Sequence, residues 1–183
     1  MAITQAAARR YVNPVIQDVA TFLDTEDDRT VVEIELAAGG GNPPHRHRSY
    51  AERFTVLEGR LTVVIDGVAH DLEAGGQATA PPMARHNFAN ATAERTVFRV
   101  ELRPGHPGFE KAIRVAYGLA ADGRTTRKAI PRNPLHTALI LAWSDMLGPG
   151  LLGSSPVIRA VASVARALGV ERRLERRYPA ARR

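Results

Sequence analysis

No cysteine occurs anywhere in the 183 residues, so neither a disulfide nor a thiolate-ligated metal site can form. Any metal must be held by imidazole and carboxylate groups. The stretch from Met1 to Tyr11 is alanine-rich and carries Arg9 and Arg10, but it lacks the apolar run of a secretory signal. Nor is there a long hydrophobic segment. The apolar stretches around Ile140 and Leu151 are cut by Asp145, Pro149, Pro156 and Arg159, well short of the ~20 residues that cross a bilayer. A cytoplasmic protein is expected on these grounds. Repeats and low-complexity tracts are missing too, as are a Ser-His-Asp arrangement, a glycine-rich phosphate loop opening a helix, and zinc-ribbon spacing. Around Arg124 to Trp143 no recognition helix can be made out, so nucleic acid is not an expected partner.

What is present is enough for one core. At this length, with 44% hydrophobic residues, a single main domain is the default. The net charge of +6 hides an asymmetry: residues 1–102 carry 10 Lys and Arg against 14 Asp and Glu, and residues 103–183 carry 15 against 5. Glu171 to Arg183 alone holds six arginines and two glutamates. That segment reads as a solvated, frayed basic tail.

The two halves also differ in period. From Asp18 to about Leu102 the chain reads as strands and turns. Val32, Ile34, Leu36 and Ala38 alternate with Glu33 and Glu35, the signature of a half-buried strand. Asp66-Gly67 between Leu61–Ile65 and Val68–Leu72 is a two-residue hairpin signal. Seven or so short strands at this spacing predict a sandwich or barrel. After Arg103-Pro104-Gly105-His106-Pro107 the period becomes about 3.6. One helix carries Phe109, Ile113, Ala116 and Tyr117 and stops near Asp122-Gly123. A second starts at Pro134 with Leu135, Leu139, Ala142, Trp143 and Met146, and a third at Pro156 has Val157, Val161, Val164 and Leu168 on one stripe. The division expected is an N-terminal arm over 1–17, a β-barrel over 18–103 and a basic helical extension over 104–183.

Between two of the predicted strands lies the chemistry. His45-Arg46-His47 follows the loop Gly39 to Pro44, and side chains two apart on an extended segment point the same way, so both imidazoles can reach one ion. Alone, such a pair is weak evidence. It does not stand alone. Gly39, five residues, His45, one residue, His47, four residues, Glu52, six residues and Gly59 are followed by Gly75, five residues, Pro81, one residue, Met83, two residues, His86, three residues and Asn90. This resembles the paired motifs of the cupin superfamily. The first motif matches at every position, and the second departs only at Met83, where the family pattern has glycine.

The resemblance implies a mainly β fold, a cupin-type jelly-roll barrel of six to eight strands with the α-helical C-terminal extension appended. It also implies His45, His47, Glu52 and His86 as ligands of one divalent transition metal ion. Three imidazoles and a carboxylate favour Fe, Mn, Co, Ni, Cu or Zn over Ca or Mg, which prefer all-oxygen shells. They leave one or two coordination positions open, as catalysis requires. The function expected is an enzyme acting on a small oxygen-containing molecule, of dioxygenase, cyclase or dehydratase, decarboxylase or isomerase type, with Glu52 serving also as a base. The alternative is a metal-dependent binding or sensing module whose helical tail is the output surface. A homodimer is the expected assembly, and contact of the tail with an anionic membrane surface is a lesser expectation.

Residues in phase with the ligands nominate Phe54 and Val56, Phe88, Leu61, Val63, Phe98 and Val100 for the interior. Of these Phe54 and Phe88 are candidates for a substrate wall. If the turn at Met83 needs a positive φ, methionine there is strained by ~1 to 3 kcal/mol; a different turn is expected, leaving Met83 free to line the pocket. Asn90, which ends the second motif, is read as supporting the turn after His86 and not as a chemical group. Tyr50 is read as an exposed loop residue, and His70, His106 and His136 as surface or helix-face histidines.

Overall fold

The computed structural model describes residues 9–148 and 154–180. Eleven strands and four helices follow one another along them. These are β1 (Arg9–Asn13), β2 (Asp18–Thr25), β3 (Thr30–Leu36), β4 (Arg46–His47), β5 (Ala51–Glu58), β6 (Arg60–Ile65), β7 (Val68–Glu73), β8 (Gln77–Ala80), β9 (His86–Ala89), β10 (Thr96–Arg103), α1 (Pro107–Ala121), α2 (Pro134–Trp143), β11 (Met146–Leu147), α3 (Ser155–Ala167) and α4 (Val170–Arg177). One antiparallel sheet runs β1-β2-β3-β10-β5-β8, a second runs β7-β6-β9, and β11 pairs with β4 in a third. This is the jelly-roll expected. Consecutive pairs such as β2-β3 and β6-β7 alternate with neighbours from distant parts of the chain, β10 between β3 and β5 and β9 beside β6, and the inward side chains share one core.

Alternation dictates that core. In β3, Val32, Ile34 and Leu36 point inward while Glu33 and Glu35 lie between them on the outer face. On the adjacent β10, Arg99 stands opposite Glu33 and reaches it at 3.3 Å, and Arg95, just before that strand, reaches Glu35 at 2.7 Å. Such exposed pairs are worth little, but they keep the outer face charged. Phe54, Val56, Leu61, Val63, Phe98 and Val100 all join the barrel core. Asp66 and Gly67 both have positive φ, 48° and 89°, as a type I′ hairpin turn between β6 and β7 requires.

Residues 9–13, assigned by sequence to an arm, form the outer strand of the large sheet, paired with β2 from Arg9 opposite Phe22 to Asn13 opposite Asp18. Met1 to Ala8 lie outside the described residues, as does the span around Leu151.

The helical extension packs on the barrel through α1. Phe109, Ile113, Ala116 and Tyr117 cover the β core, the face read from the sequence. Its other face, Ala112, Val115 and Leu119, joins α2, α3 and α4 in a second core. Tyr11 donates to Glu110 at 2.8 Å and Tyr117 to Asp18 at 2.7 Å, fastening α1 to the first two strands.

Two expectations for the tail need correction. The buried stripe of α3 is Ile158, Ala162 and Ala165, while Val164 and Leu168 are 53% and 56% exposed. Alanine has little to protrude, so this face lets the helices approach closely, and it takes precedence over the larger residues alongside. Gly169, at φ 69°, ends α3. Val170–Arg177 are not a frayed tail but α4, held by buried Leu174 and by Glu171, and the last three residues of the expected tail, Ala181 to Arg183, lie outside the described residues. Glu171 accepts from Trp143 Nε1 at 2.8 Å and from Lys111 at 3.0 Å. No helix among the described residues is long and apolar enough to cross a membrane.

Candidate metal centre

Three sheets each bring a donor to one place. Glu52 is the second residue of β5 in the large sheet, opposite Leu102 on one side and Ala80 on the other. His86 opens β9, opposite Ile65 in the smaller sheet. His45 and His47 flank Arg46, and the β4 pairing with β11 places His47 opposite Met146 of the helical extension. Backbone bonds lock two of the segments together: His45 N–H donates to the His86 carbonyl at 2.9 Å and His86 N–H returns the bond at 2.8 Å. All four side chains are buried, and one donor atom from each lies within 4.8 Å of the others.

Those donors suit an ion. Ligands bonded to one centre at ~2.1 Å lie at most about 4.2 Å apart, so the cluster has to draw in by well under 1 Å. The tautomers are fixed by the backbone. Nδ1 of His45 faces the Pro43 carbonyl at 3.0 Å, Nδ1 of His47 the Ser144 carbonyl at 3.1 Å, and Nδ1 of His86 the Ala84 carbonyl at 3.0 Å. A carbonyl only accepts, so each Nδ1 carries a proton and each Nε2 is turned to the cluster, where that of His86 is hydrogen-bonded to Glu52 and gives up its proton when a metal binds. His47 Nε2 is buried without a hydrogen-bond partner. An orphaned lone pair there is costly unless an ion takes it. Glu52 completes the set, with one oxygen 3.0 Å from His86 Nε2 and the other 3.4 Å from His47 Nε2.

The electrostatics keep two of the imidazoles neutral and able to take a cation. Burial, with help from the neighbouring imidazoles, pushes His45 down from 6.5 to about 4 against the pull of Glu52. His47 is lowered by burial as well. Burial would lower His86, but its hydrogen bond to Glu52 and that carboxylate's charge outweigh burial and raise it. Glu52 feels burial in the opposite sense, yet His47 and His86 hold it down to about 2.

The stability consequence has a definite sign. Between pH 6.5 and 4 the unfolded His45 binds a proton that the folded one refuses. Acid therefore destabilises the fold across that window, on the order of 3 kcal/mol for a lowering from 6.5 to about 4. Glu52 carries the same sign further down, from 4.5 to about 2. His86, raised, contributes in the opposite direction above 6.5. Denaturant titrations of chelator-treated protein from pH 7 to 4 should show the loss, and a flat profile would contradict it.

Tyr50, read from the sequence as exposed, is 1% exposed. Its ring stacks on His47 with centroids 4.5 Å apart, and its hydroxyl lies 2.7 Å from both His47 Nδ1 and the Ser144 carbonyl. The hydroxyl donates to the carbonyl and accepts from Nδ1–H, so it enforces the same tautomer. Burial, with the Glu52 and Asp145 charges, keeps the phenol protonated by raising it well above 10. Next to it, Arg48 holds Asp145, with Nε 2.7 Å from Oδ1. No local signal reveals these links, because Ser144 and Asp145 lie nearly a hundred residues downstream. Removal of outer hydrogen-bond partners of metal-bound histidines costs roughly 10 to 100-fold in affinity. Tyr50→Phe should reproduce that loss with the fold intact, measured by competition with a chromogenic chelator; unchanged affinity would mean that the hydroxyl does not orient His47.

The remaining candidates separate. Phe54 is fully buried, with its ring 6.1 Å from those of His86 and Phe88. Phe88 is half-buried on the barrel core. Met83 is 48% exposed and stands apart from that core. Its φ is 68°, so the turn keeps the left-handed residue that glycine would favour, contrary to the expectation of another shape. The reason is two bonds: Met83 N–H donates to the His47 carbonyl at 2.7 Å and Ala84 N–H to the Pro81 carbonyl at 3.1 Å. With Pro82 before it, this is the type II pattern.

Asn90 is buried and bonds the Glu94 carbonyl at 2.7 Å and the Thr92 N–H at 3.0 Å, in the turn that follows β9, and also the Ala37 carbonyl at 3.1 Å, so it ties that turn to the loop after β3. His70 is exposed, as expected. His106 is half-buried, 5.1 Å from the Tyr50 ring, and His136 is 6% exposed, neither of them a surface residue.

The cupin domain family model matches residues 32–103. Among solved structures, an RmlC-like cupin from Shewanella frigidimarina is similar at 20% identity and a TM-score of 0.51, over 60% of this chain and 94% of that one. A conserved protein with a double-stranded β-helix domain from Klebsiella pneumoniae shares 26% identity at a TM-score of 0.47, over 52% of this chain and 84% of that one. A predicted oxalate decarboxylase from Thermotoga maritima shares 16% at 0.48, over 57% and 99%. The first of these likenesses bears on the fold alone. Comparison with the curated proteins gives no match.

Proposed function

We propose, from the premise that residues 32–103 form a cupin domain, that this protein is an enzyme. It would bind a small oxygen-containing molecule at one divalent transition metal ion held by His45, His47, Glu52 and His86. The observation that carries the reading is the set of three imidazoles with Nδ1 tied to backbone carbonyls, which turns each Nε2 toward a single carboxylate. Four protein donors leave one or two positions open on a five- or six-coordinate ion. Bound there, the ion supplies Lewis acidity toward a carbonyl or enolate, or binds dioxygen. Phe88, half-buried, supplies the apolar wall that orients the substrate and excludes water, backed by the fully buried ring of Phe54. Glu52 is both ligand and the group able to accept a substrate proton.

The reaction types compatible with this arrangement are dioxygenation, cyclisation or dehydration, decarboxylation and isomerisation. Stripped protein should be reloaded separately with Fe, Mn, Co, Ni, Cu and Zn and offered a panel of small hydroxy, keto and enol acids. Loss of substrate and dioxygen uptake are then followed. Turnover that appears with one ion and vanishes with chelator supports the reading.

One observation favours a second reading, a metal-dependent sensing module. The extension touches the site directly, since the Ser144 carbonyl at the end of α2 is the partner of His47. If metal binds stoichiometrically, no ion gives turnover, and hydrogen exchange over residues 134–148 slows on binding, this second reading replaces the first. A homodimer belongs to either reading, β1 being an outer strand among the described residues and such edges being able to pair; light scattering tests it.

A further inference from the structure

At the far end of α2 from Ser144 lies a cavity of about 360 Å³ lined by Gly123, Arg124, Arg132, Asn133 and His136. Eight residues of helix at ~1.5 Å each put His136 about 12 Å from the residue that braces the metal centre. The loop that builds this cavity is held rigidly. Thr125 and Pro131 form an antiparallel bridge, Thr126 N–H donates to the Ile130 carbonyl at 2.8 Å, and Arg132 N–H donates to the Arg124 carbonyl at 3.1 Å. Arg124 and Arg132 therefore stand directly opposite one another with their side chains on one face.

Like charges in that position repel, and a ladder built this way is destabilised unless something neutralises it. Among the described residues Asp122 acts on Arg124 through space, without an ion pair. Neither arginine pairs with a carboxylate, whereas arginines of the barrel such as Arg53, Arg95 and Arg99 do. The adjacent acid, Asp122, is taken by Arg177 at 2.7 Å. Arg132 spends only Nε on the protein, donating to the Thr125 carbonyl at 3.0 Å, so its two terminal nitrogens remain available.

His136 is the independent sign. It is 94% buried by its 6% exposure, it lines the cavity, and its ring has no hydrogen-bond partner among the described residues. Its ring nitrogens are not among the fully buried polar atoms that lack a partner, so this otherwise buried side chain opens on the cavity, where an acceptor can reach it. Burial and the Arg124 charge lower its affinity for a proton, as expected for a ring beside cations that lacks its anion.

We propose that Arg124, Arg132 and His136 form a binding site for a phosphoryl group, free or carried on a small phosphomonoester. Two guanidinium forks side by side match a tetrahedral dianion bidentately, and a third donor from the imidazole completes three of its oxygens. The volume exceeds that of phosphate alone, leaving room for the group that bears it. The site is separate from the metal centre, and its failure would leave the metal reading untouched.

The test is calorimetric titration of the full-length protein with inorganic phosphate at low ionic strength, with chloride as the control anion and Arg124→Gln/Arg132→Gln as the comparison. Both side chains are on the surface, so the double variant should fold and keep the metal content of the parent. Phosphate should bind the parent and bind the variant at least about tenfold more weakly, the loss expected when charge-assisted hydrogen bonds are removed. In the parent alone, phosphate should raise the His136 pKa followed by proton NMR.

Vesicles of phosphatidylcholine with and without phosphatidic acid identify the source. Sedimentation that needs phosphatidic acid and both arginines assigns the phosphomonoester to lipid, and binding of free phosphate without sedimentation assigns it to a soluble ligand. Equal binding of phosphate by parent and variant overturns the proposal. So does binding no stronger than that of chloride together with no arginine-dependent sedimentation.

Discussion

Replacing His45 by alanine is expected to lower metal affinity by more than the roughly 10 to 100-fold that an outer hydrogen-bond partner contributes, while the barrel survives. Its imidazole offers a buried Nε2 to the cluster, so its removal takes away a ligand and not an orienting group. The strand pairing at this position uses backbone atoms only, His45 N–H to the His86 carbonyl and back, and alanine makes the same bonds. Metal content after dialysis should fall from one ion per chain to a small fraction of that, with the circular dichroism spectrum retained. The variant also separates two causes of acid sensitivity. Without the imidazole that burial pushes down to about 4, chelator-treated protein should lose stability less steeply between pH 6.5 and 4. Full metal content in His45→Ala would remove this residue from the ligand set.

The second large effect falls on stability. Phe54 is wholly buried, 6.1 Å ring to ring from His86 and 6.5 Å from Phe98. Truncation to alanine deletes the ring between a metal ligand and the centre of the core. Phe→Ala changes at such sites cost roughly 3 to 5 kcal/mol, the transfer of the lost surface plus the cavity left behind. Urea unfolding of Phe54→Ala should show that loss as a lower midpoint at unchanged slope. Phe54→Leu, which fills most of the space, should recover much of it. A cost under about 1 kcal/mol would mean that the site is not packed as described.

Much of this protein is legible in its sequence because its instructions are local. Alternation in Val32–Leu36 fixes which face of β3 is buried, Asp66-Gly67 fixes a hairpin through two positive φ angles, and Pro107, Pro134 and Pro156 each stand near the start of a helix. The spacing from Gly39 to Asn90 brings four donors together because strands at those offsets must fold onto one barrel. What could not be read depends on distant partners. Tyr50 belongs to the metal centre only because α2 delivers the Ser144 carbonyl to it. The stripe of α3 was misjudged because hydrophobicity favours Val164 and Leu168, whereas close packing selects Ala162 and Ala165. At Met83 a local rule was outvoted: a strained φ persists because two backbone bonds, one of them to His47, hold it. The buried sheet position of His47 beside β11 also shows why the extension is part of the site and not a separate appendage.

X-ray absorption on protein reloaded with a single transition metal addresses the coordination itself. One ion per chain, with about three imidazole nitrogens and one carboxylate oxygen at ~2.0 to 2.2 Å and the outer-shell scattering of imidazole rings, is the spectrum predicted. An ion ringed by oxygen alone, or a protein that takes up no metal while folded, would contradict it.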